Sequence, residues 1–178
     1  MRYTITALCL FLITFISAEA IAQSVTVDEG FSDGDFTNSP TWVDSESKHI
    51  VNTSNMLQLD APSETAEAVI STASTAAYGE WEVYIELDFN PSSSNLSRFY
   101  IISDSQDVKG AVDGYFVQIG DTEDEVSLYR QDGSSAIKII DGPDGLVDTN
   151  PVSIRVRVTR DLDGNWELLA DSLGGTSY

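Results

Sequence analysis

Three carboxylates on one short stretch come closer to a catalytic pattern than any other residues of this sequence. Glu82, Glu86 and Asp88 occupy even-numbered positions in "GEWEVYIELDFN". Alternate residues of a strand project from the same face, so the three carboxylates would line one side of a sheet. Retaining glycoside hydrolysis needs two carboxyl groups about 5–5.5 Å apart. Glu82 and Glu86 would lie about 13 Å apart along a strand, so the stretch is predicted to be a polar sheet face without catalytic activity.

A second strand pattern carries the complementary charge. In "VSIRVRVT", Arg155 and Arg157 alternate with apolar residues. If both strands lie in one sheet, the acidic and basic rows would pair across it, each ion pair contributing about 0.2–1 kcal/mol. The alternative is a groove for a sugar or a peptide, with Tyr84 stacking against a ring. The candidate ligand-binding residues of that groove are Tyr84, Glu86, Asp88, Arg155 and Arg157.

Acidic loops between the predicted strands are candidates for a metal site. In a meander every second hairpin loop falls at the same end of the sheet, so loops 121–125 and 141–148 would share an end. Carboxylate oxygens are ligands that calcium prefers. The candidate calcium ligands are Asp121, Asp124, Asp141 and Asp144. No other cofactor is predicted, and the single histidine, His49, excludes metal centres built from several histidines.

The net charge limits the partners. Acidic residues number 29 against nine basic residues, which gives a formal charge of −20. Such a surface repels nucleic acid and anionic lipid, and it attracts cations. Adaptation to salty water, where screening weakens the repulsion between carboxylates, explains the same composition without any metal.

The first residues have the order of a secretory signal peptide. A basic start is followed by the apolar run "ITALCLFLITFI" and by small residues suited to cleavage. We predict a signal peptide at 1–22, with cleavage between Ala22 and Gln23, and a secreted or cell-surface protein. The apolar run is too short to span a bilayer comfortably. The chain after Gln23 contains no cysteine, so no disulfide is expected.

Alternating apolar and polar residues dominate the chain after residue 79. Period-two alternation is typical of strands with one buried face, and Gln131–Ser134 and Asp161–Asn165 have the composition of hairpin turns. Four shorter strands are predicted in the N-terminal part, in "SVTVDEGF", "KHIVN", "MLQLDA" and "EAVISTA". His49 is predicted to be exposed on the second of them, and Trp42 to lie in a loop. The pattern predicts an all-β, antiparallel sandwich or barrel, with residues 23–178 forming one domain.

Several segments resemble one group of extracellular modules. The resemblance is carried by "GFSDGDFTNSPTW" (30–42), "LDFNPSSSN", "DGYFVQIG", "VSLYRQDG" and "RVRVTRDLDGNWELLADSLGGTSY". Together they resemble laminin-G-like, concanavalin A-like jelly-roll modules at the N-terminus of secreted multidomain proteins of Gram-negative bacteria. Such proteins often carry lamin-tail or immunoglobulin-like domains and a type IX secretion sorting domain. The resemblance implies an antiparallel two-sheet jelly-roll sandwich whose last strands lie beyond Tyr178, so that residues 23–178 would be a truncated module.

The resemblance also implies a role. It suggests a non-enzymatic binding or adhesion module for a glycan or an extracellular protein, with further domains of the same polypeptide downstream. A purely structural spacer is the alternative. Laminarinase-type glucanases share the jelly roll, and their catalytic strand places a second Glu two or three residues after the Asp. Asn90 and Pro91 stand at those positions here, and an amide cannot donate and reclaim a proton as that reaction requires, which disfavours a glycan hydrolase.

Overall fold

The structure, a computed structural model, describes residues 27–44 and 46–178. In that part of the chain every regular element is a β-strand, and every strand pair is antiparallel. The strands are β1 (Trp42–Asp44), β2 (His49–Val51), β3 (Leu57–Leu59), β4 (Ile70–Thr72), β5 (Gly79–Leu87), β6 (Ser97–Ser103), β7 (Gly114–Ile119), β8 (Val126–Asp132), β9 (Ser135–Ile140), β10 (Val152–Arg160) and β11 (Trp166–Asp171). The predicted signal peptide and its cleavage site lie outside the described residues.

Two sheets make up the body of the fold. Strands β6, β7, β8 and β9 form a four-stranded meander in chain order, and β5, β10 and β11 form a three-stranded sheet with β10 in the middle. The acidic strand and the arginine strand therefore belong to one sheet, which is the condition set above for pairing between the acidic and basic rows. Tight turns join β8 to β9 and β10 to β11, and each contains a glycine with positive φ, Gly133 and Gly164, as hairpins of this kind require.

The inner faces of the two sheets share one hydrophobic core. In β10 the alternation is complete: Val152, Ile154, Val156 and Val158 are buried, while the residues between them are not. They join side chains of β7 and β8, among them Leu128, in a single cluster. Burying each aliphatic side chain contributes about 1.5–3 kcal/mol. The core therefore holds the two sheets face to face, and the alternate polar residues of their strands lie on the outer faces.

The N-terminal strands form two small sheets of their own. Strand β1 pairs with β4, and β2 pairs with β3. Three of the four short strands predicted from sequence are present. The fourth, predicted in "SVTVDEGF", is wrong within the described residues, because 27–30 form no strand, whereas Trp42, assigned to a loop, lies in β1.

His49 also differs from its prediction as an exposed strand residue. Only 10% of its side chain is exposed, and its Nδ1 lies 3.2 Å from Oδ1 of Asp44. The hydrogen bond from the His49 amide to Asp44 links the start of β2 to the end of β1.

The predicted all-β, antiparallel sandwich is thus confirmed. The strand order does not by itself identify a jelly roll, so that part of the prediction, together with strands beyond Tyr178, stays a prediction. The residues that the structure describes include no helix long and apolar enough to cross a membrane.

Candidate functional site

A row of aromatic side chains crosses the outer face of the four-stranded sheet. Tyr100 of β6 lies opposite Phe116 of β7, Phe116 lies opposite Tyr129 of β8, and Tyr129 lies opposite Lys138 of β9. Cross-strand neighbours are about 4.5–5.5 Å apart, so the register alone brings these side chains into contact. We call Tyr100, Phe116 and Tyr129 the aromatic row.

The rings of the aromatic row pack against one another. The Phe116 ring lies 4.9 Å from that of Tyr100 and 5.1 Å from that of Tyr129, with an angle of only 3° between the planes of Phe116 and Tyr129. The guanidinium of Arg98 sits 5.0 Å above the centre of the Phe116 ring. Phe116 is only 1% exposed, so it supports the row from within, and the two half-buried tyrosines present its accessible surface.

Buried amides flank the aromatic row on both sides. On one side Gln118 accepts a hydrogen bond from Nε of Arg98, at 2.9 Å, and donates one to Asp121, at 2.7 Å. On the other side Gln131 accepts the phenol proton of Tyr100, at 2.6 Å, and donates to the carbonyl of Gly133, at 2.8 Å. These bonds fix the amides, and through them the orientation of Arg98 and Tyr100.

Both tyrosines of the row stay protonated at neutral pH. Burial raises the pKa of Tyr100, and the nearby carboxylate of Glu67 adds to the shift. Burial likewise raises the pKa of Tyr129, with further contributions from Asp121 and Glu125. A neutral phenol is both a donor and an acceptor of hydrogen bonds, so the row combines apolar ring surface with two hydroxyl groups.

Three carboxylates surround Lys138 at one end of this face. Oxygen atoms of Glu123, Glu125 and Asp141 lie within 4.8 Å of one another. The ammonium of Lys138 contacts all three, at 3.3 Å from Glu123, 2.6 Å from Asp141 and closer still to Glu125. These bonds, above all the one to Asp141, raise the pKa of Lys138, and the hydrogen bond from Lys138 lowers the pKa of Asp141. We call Glu123, Glu125 and Asp141 the carboxylate trio.

The prediction that the two acidic loops share an end agrees with the structure. The amide of Gly145 donates to the carbonyl of Glu123, at 2.8 Å, and the amide of Val147 donates to that of Asp124, at 2.9 Å. Of the four candidate calcium ligands, however, only Asp141 belongs to the carboxylate trio. The Asp121 carboxylate bonds to Gln118 and to the amide of Thr122, and Asp144 is exposed.

The other candidate ligand-binding residues lie on the outer face of the three-stranded sheet. Arg155 forms an ion pair with Glu82, at 3.0 Å. This is one of the pairs expected between the acidic and the basic rows. Tyr84 donates to Glu86, at 2.5 Å, and shares a hydrogen bond with Ser153, at 2.7 Å. Asp88 follows the end of β5 and is exposed.

Residues 172–178, here called the C-terminal segment, lie across that same face. The carboxylate of Asp171 accepts the amide protons of Leu173 and Ser177 and so turns the chain back onto the sheet. A Cβ at Gly174 would come within 2.6 Å of the Tyr84 ring, and the Gly174 carbonyl accepts a bond from Nε of Arg155. The segment therefore covers much of the surface that sequence analysis assigned to a ligand.

Tyr178, in the C-terminal segment, also contacts this face of the sheet. Its ring lies 4.3 Å from the guanidinium of Arg157, and its hydroxyl donates to Glu82, at 2.7 Å. Burial first, and this hydrogen bond second, raise the pKa of Tyr178 to about 12. The bond from Tyr178, followed by the contact with Arg155, lowers the pKa of Glu82. The guanidinium of Arg157 thus lies against the ring of Tyr178 from the same chain.

Sequence reasoning missed the aromatic row, although the signal is present. The segments "RFYIIS", "GYFVQIG" and "EVSLYRQ" each place an aromatic residue two positions from Arg98, Gln118 or Gln131. Because alternate residues share a face, each strand contributes one ring and at least one polar side chain to the same surface. Apolar residues on both faces concealed this pattern.

No known protein family, no curated protein and no solved structure matches this chain. The laminin-G-like identity therefore stays a prediction that depends on the segments quoted above, and the site must be interpreted from its own chemistry.

Proposed function

We propose that this chain is a non-enzymatic, extracellular binding module and that it binds a glycan on the outer face of its four-stranded sheet. The observation that carries the proposal is the aromatic row, flanked by fixed amides and by the exposed Arg98. Cross-strand contact between the three rings stabilises the sheet, and the two half-buried tyrosines leave part of their apolar surface open to a ligand.

The chemistry of the face matches that of a sugar. A pyranose ring has apolar C–H surfaces and a rim of hydroxyl groups. Binding sites for such molecules combine aromatic surface with a few fixed polar groups that set orientation. Here Tyr100 and Tyr129 supply the ring surface and two phenols, while Arg98 on β6 and Lys138 on β9 supply positive charges beside the row. Since Gln118 and Gln131 hold Arg98 and Tyr100 in place before a ligand arrives, little side-chain entropy of these two residues remains to be lost on binding.

The alternative face is less suited to a ligand. On the three-stranded sheet, Arg155 pairs with Glu82 and Arg157 packs against Tyr178. A ligand there would have to displace the C-terminal segment and break its contacts with Arg155, Arg157 and Glu82. This comparison favours the four-stranded sheet.

A non-enzymatic role is supported by the surroundings of Glu86. Its carboxylate accepts a hydrogen bond from Tyr84 and lies opposite Ser153 in the register. Asn90, where a second glutamate would stand in a glucanase strand, donates its amide to Asp148, at 3.0 Å. An amide engaged in this way has no part in proton transfer.

A glycan array tests the proposal. The purified protein should show saturable binding to a restricted set of glycans, and the Tyr129→Ala variant should lose it. Tyr84→Ala, which removes a tyrosine from the other sheet, is the matched control and should keep it. If the array shows no saturable binding, the proposal is wrong and a structural spacer becomes the better interpretation; release of reducing sugar would indicate a hydrolase.

A further inference from the structure

We propose that the carboxylate trio binds a divalent cation of the calcium type in exchange for the ammonium of Lys138. The site differs from the calcium site predicted from the sequence, since it uses Glu123 and Glu125 and shares only Asp141 with it. It adjoins the aromatic row, since Lys138 lies opposite Tyr129, but the inference does not depend on the proposed function, because an ion can bind here without a glycan.

Local geometry assembles the site before any ion is bound. Glu123 and Glu125 lie on the loop between β7 and β8, and Asp141 directly follows β9. Backbone hydrogen bonds of Gly145 and Val147 join this loop to the next one. The amide of Gly142 also donates to Ser127, at 2.9 Å, which fixes the backbone next to Asp141. A site on two fixed loops pays little ordering entropy when an ion binds.

The net negative charge of the trio and Lys138 favours binding of a divalent cation. Three carboxylates and one ammonium carry two net negative charges, and the whole chain carries −20. A divalent cation in place of the ammonium lowers the net negative charge at the trio from two to one, and Lys138, whose side chain is 26% exposed, can turn its ammonium toward water. Exchange therefore removes repulsion between carboxylates while the displaced charge becomes solvated.

A buried oxygen atom points to the ion independently of the acidic composition. Glu125 is 1% exposed, and its Oε2 is buried without a hydrogen-bond partner. A buried carboxylate oxygen that lacks a partner costs free energy. Lys138 contacts the other oxygen, Oε1. A calcium ion, which accepts mono- or bidentate carboxylates at about 2.3–2.6 Å, can satisfy both oxygens of Glu125.

Calorimetric titration of the purified protein with calcium chloride at physiological salt tests the inference. We expect one site with a dissociation constant of about 10⁻⁴–10⁻³ M, the range of extracellular calcium modules. Lys138→Met should tighten binding at least tenfold, because the competing ammonium is gone. Glu125→Gln and Asp141→Asn should each weaken it at least tenfold. Asp144→Asn removes one charge from the neighbouring loop outside the trio and should leave the affinity unchanged.

The same titrations can overturn the inference. If the native protein shows no saturable binding up to about 10 mM calcium, Lys138 alone satisfies the trio and the inference is wrong, even if the Lys138→Met variant binds the ion. Equal losses in Asp141→Asn and Asp144→Asn would show diffuse attraction to the acidic surface. Glu125 is buried and its variant can misfold, whereas Asp141 is exposed, so Asp141→Asn with an unchanged circular dichroism spectrum keeps the test decisive.

Discussion

The rings of Phe116 and Tyr129 stack on the outer face of the four-stranded sheet, with their centroids 5.1 Å apart and their planes within 3° of parallel. Each residue is directly opposite the other in the register of β7 and β8. The buried ring thus fixes the accessible one, which connects the stability of the sheet to the shape of the proposed binding face.

Replacing Phe116 tests this connection. Phe116→Ala should lower the free energy of unfolding by about 3–5 kcal/mol, because a fully buried ring is lost and a cavity remains. Urea unfolding measures the change. Leu162→Ala serves as control: Leu162 is 79% exposed, and its truncation should change stability by less than about 0.5 kcal/mol. Similar small effects in both variants would contradict the packing described for the aromatic row.

Gly142 is predicted to resist substitution because of a close approach. A Cβ at this position would lie 2.1 Å from the carbonyl oxygen of Val126, so Gly142→Ala forces the loop after β9 away from β8. We expect a loss of about 1–3 kcal/mol in the free energy of unfolding.

Gly110 provides the matched comparison for that loss. A Cβ there meets open space, so Gly110→Ala should be neutral or stabilising by about 0.4–1 kcal/mol. Thermal unfolding distinguishes the two variants, and equal melting temperatures would be inconsistent with the contact between Gly142 and Val126.

The bond between Glu82 and Tyr178 predicts a pH dependence at both ends of the scale. The folded-state pKa of Glu82 is lowered by the Tyr178 hydrogen bond and by Arg155. Its contribution to stability is therefore present above its ordinary pKa of 4.5 and lost as the pH falls through the lowered value. The pKa of Tyr178 is raised to about 12, chiefly by burial. Its contribution is present below 10 and lost as the pH rises toward 12.

A single variant isolates this dependence. The difference in unfolding free energy between the native protein and Glu82→Gln should be largest near neutral pH and should shrink at both pH 3 and pH 11. Urea unfolding at the three pH values measures it. Glu80→Gln changes the charge of the same strand two residues away and controls for general effects. A difference that stays constant across the three pH values would rule out the described contact.

The fold was predictable where one face of a strand is buried. In β10 every second residue is a valine or isoleucine, and this alternation predicts both the strand and its inward face. The acidic loops could be placed at one end for the same reason, because a meander fixes which hairpins are neighbours. Short N-terminal strands such as β1 were harder to predict, since three residues carry too little periodicity.

The candidate site was less predictable because it depends on pairing. Tyr100, Phe116 and Tyr129 become one surface only through the register of three strands, which no single segment encodes. The return of Tyr178 onto Arg157 and Glu82 is a tertiary contact between residues far apart in sequence. Alternation correctly placed Arg155 and Glu82 on one face, but it could not show that the C-terminal segment covers them.

The most direct test of the account is the affinity of one array-positive glycan for variants of the two outer faces, measured by calorimetry. Tyr129→Ala and Arg98→Ala should each weaken binding at least tenfold, with circular dichroism showing that each variant keeps the native fold. Tyr84→Ala should bind like the native protein. If instead Tyr84→Ala abolishes binding while Tyr129→Ala and Arg98→Ala retain it, the ligand lies on the three-stranded sheet and the central claim is wrong.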